Sequence, residues 1–90
     1  MVHETVTSLP PAVVLARAKE FFADRNPNAS AFPEEEGPGF LTLRGQGGEE
    51  IVIAVAPAGR YSRIRASTLF FDQAIGRFFS TLPIPAEDAA

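Results

Sequence analysis

The chain has 90 residues, no cysteine and a formal net charge of −3. Its length allows one small domain, the missing cysteines exclude disulfides, thiolate catalysis and thiolate metal sites, and the mildly acidic balance argues against nucleic acid as a partner. A chain this short buries only about 60–65% of its unfolded surface on folding, so pairing with a second copy is the readiest extra source of stability.

Met1-Val2-His3-Glu4 lacks the basic region and apolar run of a signal peptide. No stretch approaches the roughly 18 apolar residues of a membrane span. A cytoplasmic protein with no membrane partner is the expectation.

Val2 to Thr7 alternates in threonine and valine and predicts a strand. Leu9-Pro10-Pro11 ends it. Residues before proline are pushed out of the helical region, so a helix can begin no earlier than Pro11, where the missing N–H costs nothing. Leu9 is then placed to pack on Val14. Val14, Leu15, Ala18, Phe21 and Phe22 make one apolar stripe through about Asp24, with Arg17, Lys19, Glu20 and Asp24 outside it. Asn26-Pro27-Asn28 is the predicted stop.

Ala29 to Phe32 reads as a short strand before Pro33, and Glu34 to Gly39 as a turn. Phe40 to Arg44 and Glu49 to Ala56 read as strands joined by Gly45-Gln46-Gly47-Gly48, a β-hairpin with a glycine-rich loop. Pro57-Ala58-Gly59 is the next turn, and Arg60 to Ser67 another alternating strand. Leu69 to Leu82 then reads as a closing helix that holds half of the eight phenylalanines. Ser67 or Thr68 is the expected cap, and Asp72 suits the positive end of the dipole. Phe70, Phe71, Ala74, Ile75, Phe78, Phe79 and Leu82 span about a half-turn of this helix. That is wider than one sheet contact needs, so the helix should touch a second surface: the opening helix or another subunit. Pro83 ends it. Residues 1–82 form one expected domain, and 83–90 a flexible tail.

The predicted class is α+β: a two-layer fold with an antiparallel sheet of four to five strands and two helices on one face. This order resembles TATA-binding-protein-like domains and abbreviated helix-grip proteins. The matching features are the first strand (His3 to Thr7), the Pro10-Pro11 helix start, a meander through Phe40, Ile51 and Tyr61, and the long closing helix. The helix-grip family has more strands and a ligand cavity under its last helix, for which ninety residues look too few. Small members of such folds often pair into dimers. The resemblance carries over no catalytic residue.

The period of two fixes the faces of each strand. Ile51, Ile53 and Val55, Leu41 and Leu43, and Ser62, Ile64 and Ala66 should face the helices. Phe40, Thr42, Arg44, Val52, Ala54, Tyr61, Arg63 and Arg65 should face away. That mixture of aromatic, small apolar and arginine side chains matches interface composition. It also suits stacked bases or a held anion. The bland alternative is arginine stems lying over apolar sheet with their heads in water.

No catalytic residue emerges. His3 is the single histidine, lies near a chain end and lacks a local partner in the sequence. Glu34-Glu35-Glu36 lacks the spacing of a calcium loop, and the Gly45–Gly48 run precedes a strand where a phosphate loop precedes a helix. No serine has a nucleophile-elbow motif around it. No cofactor or metal is predicted.

Three readings follow. The first is a non-enzymatic homodimeric binding or assembly module that uses Phe40, Thr42, Arg44, Tyr61, Arg63 and Arg65, or the flank of the closing helix. The second is a small hydrophobic-ligand or lipid binder. Its pocket would lie between the helix residues Phe71, Ile75, Phe78 and Phe79 and the sheet residues Ile53 and Ile64. The third, ranked last on net charge, is nucleic-acid contact through Tyr61, Arg44, Arg63 and Arg65.

Overall fold

The first and last strands lie side by side, which fixes the rest of the topology. The structure is a computed structural model and describes residues 1–24 and 30–84. The elements run β1 (Val2–Thr7), α1 (Pro11–Asp24), β2 (Ala31–Gly37), β3 (Phe40–Gly45), β4 (Glu50–Ala58), β5 (Tyr61–Thr68) and α2 (Asp72–Ser80). All strand pairs are antiparallel, in the order β1-β5-β4-β3-β2. The predicted two-layer α+β class is therefore what the chain forms. The segment Asn26-Pro27-Asn28 and most of the predicted tail lie outside the described residues.

Because β1 and β2 occupy opposite edges, α1 must carry the chain across the whole sheet. Four strand spacings are about 19 Å, and fourteen helical residues rise about 21 Å, so one helix of this length suffices. It starts as predicted. Pro10 lends its carbonyl to the N–H groups of Val13 and Val14, both at 3.1 Å. Val14, Leu15, Ala18 and Phe22 are buried. Leu9 packs at the edge of that core.

The inner sheet face is aliphatic. Leu41, Leu43, Ile51, Ile53, Val55, Ile64 and Ala66 are buried beneath the helices together with Ala74, Ile75 and Phe78 of α2. Its polar members lie toward β1 and β5, and backbone partners satisfy them. The Thr7 hydroxyl donates to the Pro83 carbonyl at 2.7 Å, and Ser62 donates to the Leu9 carbonyl at 2.7 Å. The second surface touched by α2 is the opening helix. The Phe78 ring lies 5.5 Å from Phe21 and 5.9 Å from Phe22, tilted in both cases.

Several boundaries differ from the sequence reading. Glu34 to Gly37 are strand, not turn. β2 continues past Pro33 through a bulge between Pro33 and Glu35, and only Pro38-Gly39 remain as the connection to β3. An edge strand tolerates a proline, and β3 would otherwise expose a row of unpaired backbone groups. Arg44 and Lys19 hold two of the three carboxylates: Arg44 Nη2 lies 2.7 Å from Glu34, and Lys19 Nζ 2.8 Å from Glu36. β4 likewise runs through Pro57 to Ala58, where its Cα partner is Tyr61. β3 pairs no further than Ala54, so the missing Pro57 N–H faces no neighbour in the ladder.

The closing helix is shorter than predicted, Asp72–Ser80 instead of 69–82. Leu69 and Phe70 form an exposed corner, 79% and 72% accessible, so Phe70 does not belong to the apolar face. The cause is local. β5 holds the chain extended through Thr68, whose N–H donates to the Met1 carbonyl at 3.0 Å. The Thr68 hydroxyl then accepts the Phe71 N–H at 3.2 Å. Thr68 thus caps the turn that precedes the helix, while Phe71 is the N-cap and has no side-chain cap bond. At the other end Thr81 and Leu82 close on the Phe78 and Phe79 carbonyls at 3.0 and 3.1 Å, and Pro83 prevents a further turn. Among the described residues no helix is long and apolar enough to cross a membrane.

Candidate interaction surface on the open sheet face

Both helices lie on one face, so the other face of the sheet has no layer over it. The pairing register places its side chains in rows across the strands. One row is Glu35, Thr42, Val52, Ser67 and Val2; the next is Gly37, Phe40, Ala54, Arg65 and Glu4. Arg63 and Tyr61 follow on β5 opposite Ala56 and Ala58, and Phe32, Arg44 and Glu50 form the row at the other end. All six residues singled out from the sequence share this face.

Their environments differ. Phe40 is 39% accessible and Phe32 46%, and Val2 and Val6 are also exposed. Thr42 is nearly buried among its neighbours. Tyr61 is half-buried. Arg44 is committed within the chain. Its Nε and Nη2 donate to Glu34 Oε1 at 3.1 and 2.7 Å, its Nη1 donates to the Gly48 carbonyl at 3.0 Å, and Glu50 lies 3.5 Å away. The bond to Glu34, reinforced by that carboxylate's charge, raises the guanidinium pKa further. Arg44 therefore ties β2, β3 and the glycine-rich loop together. Arg65 lies 3.8 Å from Glu4, a long contact between exposed groups. Arg63 makes no ion pair among the described residues.

The face thus has a centre of Val52, Ala54, Thr42 and Ser67, an aromatic residue on β3, arginines on β5, and carboxylates at the β2 edge. Four of its members escape a reading by sequence pattern. Val2 and Val6 join the patch only because β1 pairs with β5, Phe32 because β2 pairs with β3, and Glu35 because β2 continues past Pro33.

The pocket predicted beneath the closing helix is occupied by the protein itself. Ile53, Ile64, Ile75 and Phe78 are fully buried, and Phe71 and Phe79 pack against the same core. The described clefts lie elsewhere. One of about 340 Å³ sits at the end of the sheet between Met1, Val2, Leu69, Phe70 and the Glu49–Glu50 corner. Another, of about 240 Å³, lies between Arg17, Glu20, Phe21 and Thr81.

His3 lacks a local partner in the sequence but has a distant one in the fold. Its Nε2 lies 2.7 Å from Asp72 Oδ1, across 69 residues of sequence. The hydrogen bond from His3 is the main reason that the Asp72 carboxyl lies below its ordinary range, and the amino group of Met1 adds to it. Asp72 opens α2, where the helix dipole also favours an anion. The pair fastens the edge strand β1 to α2. Among the described residues, no group of three histidine and carboxylate side chains is gathered to hold a metal ion. The hairpin reading of the glycine-rich loop also stands. Gly45 N–H donates to the Glu49 carbonyl at 2.7 Å, and Gly48 adopts φ +91°, which favours glycine.

Compared with protein-family models, with curated proteins and with solved structures, the chain has no significant match. The likeness to TATA-binding-protein-like and helix-grip domains accordingly rests on the order of elements alone.

Proposed function

We propose that this protein is a small non-enzymatic assembly module that pairs with a second copy of itself through the open face of its sheet. One observation carries the reading: the layer opposite the helices presents exposed Phe32, Phe40, Val2 and Val6 around Val52 and Ala54, bordered by Arg63 and Arg65. Contiguous apolar surface rimmed by polar groups marks an interaction site, and aromatic residues with arginine are the types that interfaces enrich.

Size sets the expected strength. Five strands spaced about 4.8 Å apart, each contributing about six residues at 3.3 Å, give a footprint of about 500 Å². A standard interface buries about 800 Å² per partner, so a reversible dimer with a micromolar dissociation constant is expected. The flank of the closing helix offers less, because Phe78 is already covered by Phe21 and Phe22. The pocket position beneath that helix is filled, and Arg44 is held by Glu34, which removes one of the three arginines that a nucleic acid would use.

Sedimentation velocity over a concentration series tests the proposal. The expected result is a monomer–dimer equilibrium that Phe40→Asp abolishes without loss of folded structure. A wild type that stays monomeric at about 100 µM would refute it.

A further inference from the structure

The face that would pair with itself carries its charges asymmetrically, and this selects one arrangement of the two copies. A face-to-face dimer has its two-fold axis between the sheets, parallel to them. An axis running across the strands lays each strand over its own copy. In the row of Ala54 it sets Arg65 against the second copy's Arg65, and it brings the carboxylates of the two β2 edges toward each other. An axis along the central strand β4 lays β3 over β5 and β2 over β1. Resting on the self-pairing reading above, we infer that the second copy docks with its two-fold along β4, so that Arg65 of one copy meets Phe40 and Glu35 of the other.

The two central rows support this, and in the row Phe32–Arg44–Glu50 the like-charge contact of Glu50 with its own copy is offset by Arg44, 3.5 Å from the Glu50 carboxylate within each copy. In the row Gly37–Phe40–Ala54–Arg65–Glu4, Ala54 meets Ala54, Arg65 comes over Phe40, and Glu4 falls over Gly37, which the Phe40 ring of the same copy covers. Phenylalanine against guanidinium is an attractive contact. In the row Glu35–Thr42–Val52–Ser67–Val2, Val52 meets Val52 and Thr42 meets Ser67. Glu35 then stands one strand and one row from the opposing Arg65, about 5 and 7 Å laterally. An arginine side chain spans that offset across sheets about 10 Å apart. Small side chains at the centre allow this approach, and the like-charge contacts of the other axis disfavour it. Glu35 makes no ion pair among the described residues, so its carboxylate is available.

Charge reversal separates this arrangement from the broader reading. Glu35→Arg and Arg65→Glu should each weaken self-association about tenfold, since each acts twice in a symmetric dimer. The double variant E35R/R65E should recover to within about threefold of wild type, because the pair is re-formed in trans. Thermal unfolding of each variant in dilute solution checks that the subunit stays folded. Should R65E fail to fold beside Glu4, the cycle built from Glu35→Gln and Arg65→Gln replaces it, and coupling between those two changes is the expected result. If wild type is monomeric, self-association itself fails. If wild type is dimeric but both reversals are neutral, or the double variant is no better than the singles, self-association stands and this arrangement is overturned.

Discussion

The two faces of the sheet are built from the same strands, yet they follow different rules. On the inner face of β3, β4 and β5, Leu41, Leu43, Ile51, Ile53, Val55, Ile64 and Ala66 are buried, and no charged residue appears. On the outer face the intervening residues are Phe40, Thr42, Arg44, Val52, Ala54, Arg63 and Arg65. A face selected only for solvent would alternate polar residues against the apolar ones. Valine, alanine and phenylalanine interrupt that pattern here, and the arginines supply its charge. The inner face answers to packing and, on the proposed reading, the outer face to recognition, so substitutions on the two should separate stability from association.

The largest expected effect breaks the inner face. Phe78 is fully buried and touches the rings of Phe21, Phe22 and Phe79. Phe78→Ala should cost about 3–5 kcal/mol, a large part of the roughly 5–15 kcal/mol that holds a domain folded. Thermal denaturation followed by circular dichroism should show a midpoint lower by tens of degrees, or no cooperative transition.

Next comes the polar corner of that face. Thr7→Val removes a buried hydroxyl that serves Pro83 and Leu9 at 2.7 and 3.4 Å, leaving the Pro83 carbonyl without this donor. A loss of about 1–3 kcal/mol is expected in urea unfolding.

The outer face should behave differently. Phe40→Asp is expected to cost subunit stability about 1–2 kcal/mol, since the residue is 39% accessible and its ring packs on Gly37, and to weaken self-association at least tenfold. Denaturation in dilute solution and sedimentation at high concentration separate the two quantities.

The smallest effect concerns the His3–Asp72 fastening. The Asp72 carboxyl is lowered in the folded state, so its contribution is present above the unfolded carboxyl range and is lost as pH falls through the lower folded value. Stability should therefore be level near neutrality on this account and decline below about pH 4. Asp72→Asn should flatten part of that decline, read from unfolding midpoints across acid pH.

How much of this was legible in the sequence depended on the range of the interaction. Period-two alternation named the inner and outer residues of β3, β4 and β5 because strand geometry alone decides them. The proline start of α1 was legible for the same local reason. What escaped depended on distant partners. The turn reading of Glu34–Glu36 failed because acidic residues beside proline favour turns in isolation, whereas β3 offered a ladder and Arg44 and Lys19 supplied countercharges. The closing helix was drawn too long because Leu69 and Phe70 fit its apolar period. The pairing of β5 with β1 instead keeps the chain extended through Thr68. The partner of His3 was not legible because Asp72 lies 69 residues away, and Val2, Val6 and Phe32 were absent from the candidate surface because strand order was unknown.

The most direct test of the central claim is an isotope-filtered nuclear Overhauser measurement on an equal mixture of labelled and unlabelled protein, which reports only contacts between copies. The open-face dimer predicts cross-peaks joining Val52 methyls to Val52 and the Phe40 ring to the Arg65 side chain. Inter-copy contacts confined to helix residues such as Val13 or Phe79, or their complete absence at concentrations near 1 mM where even a weak dimer would form, would contradict it.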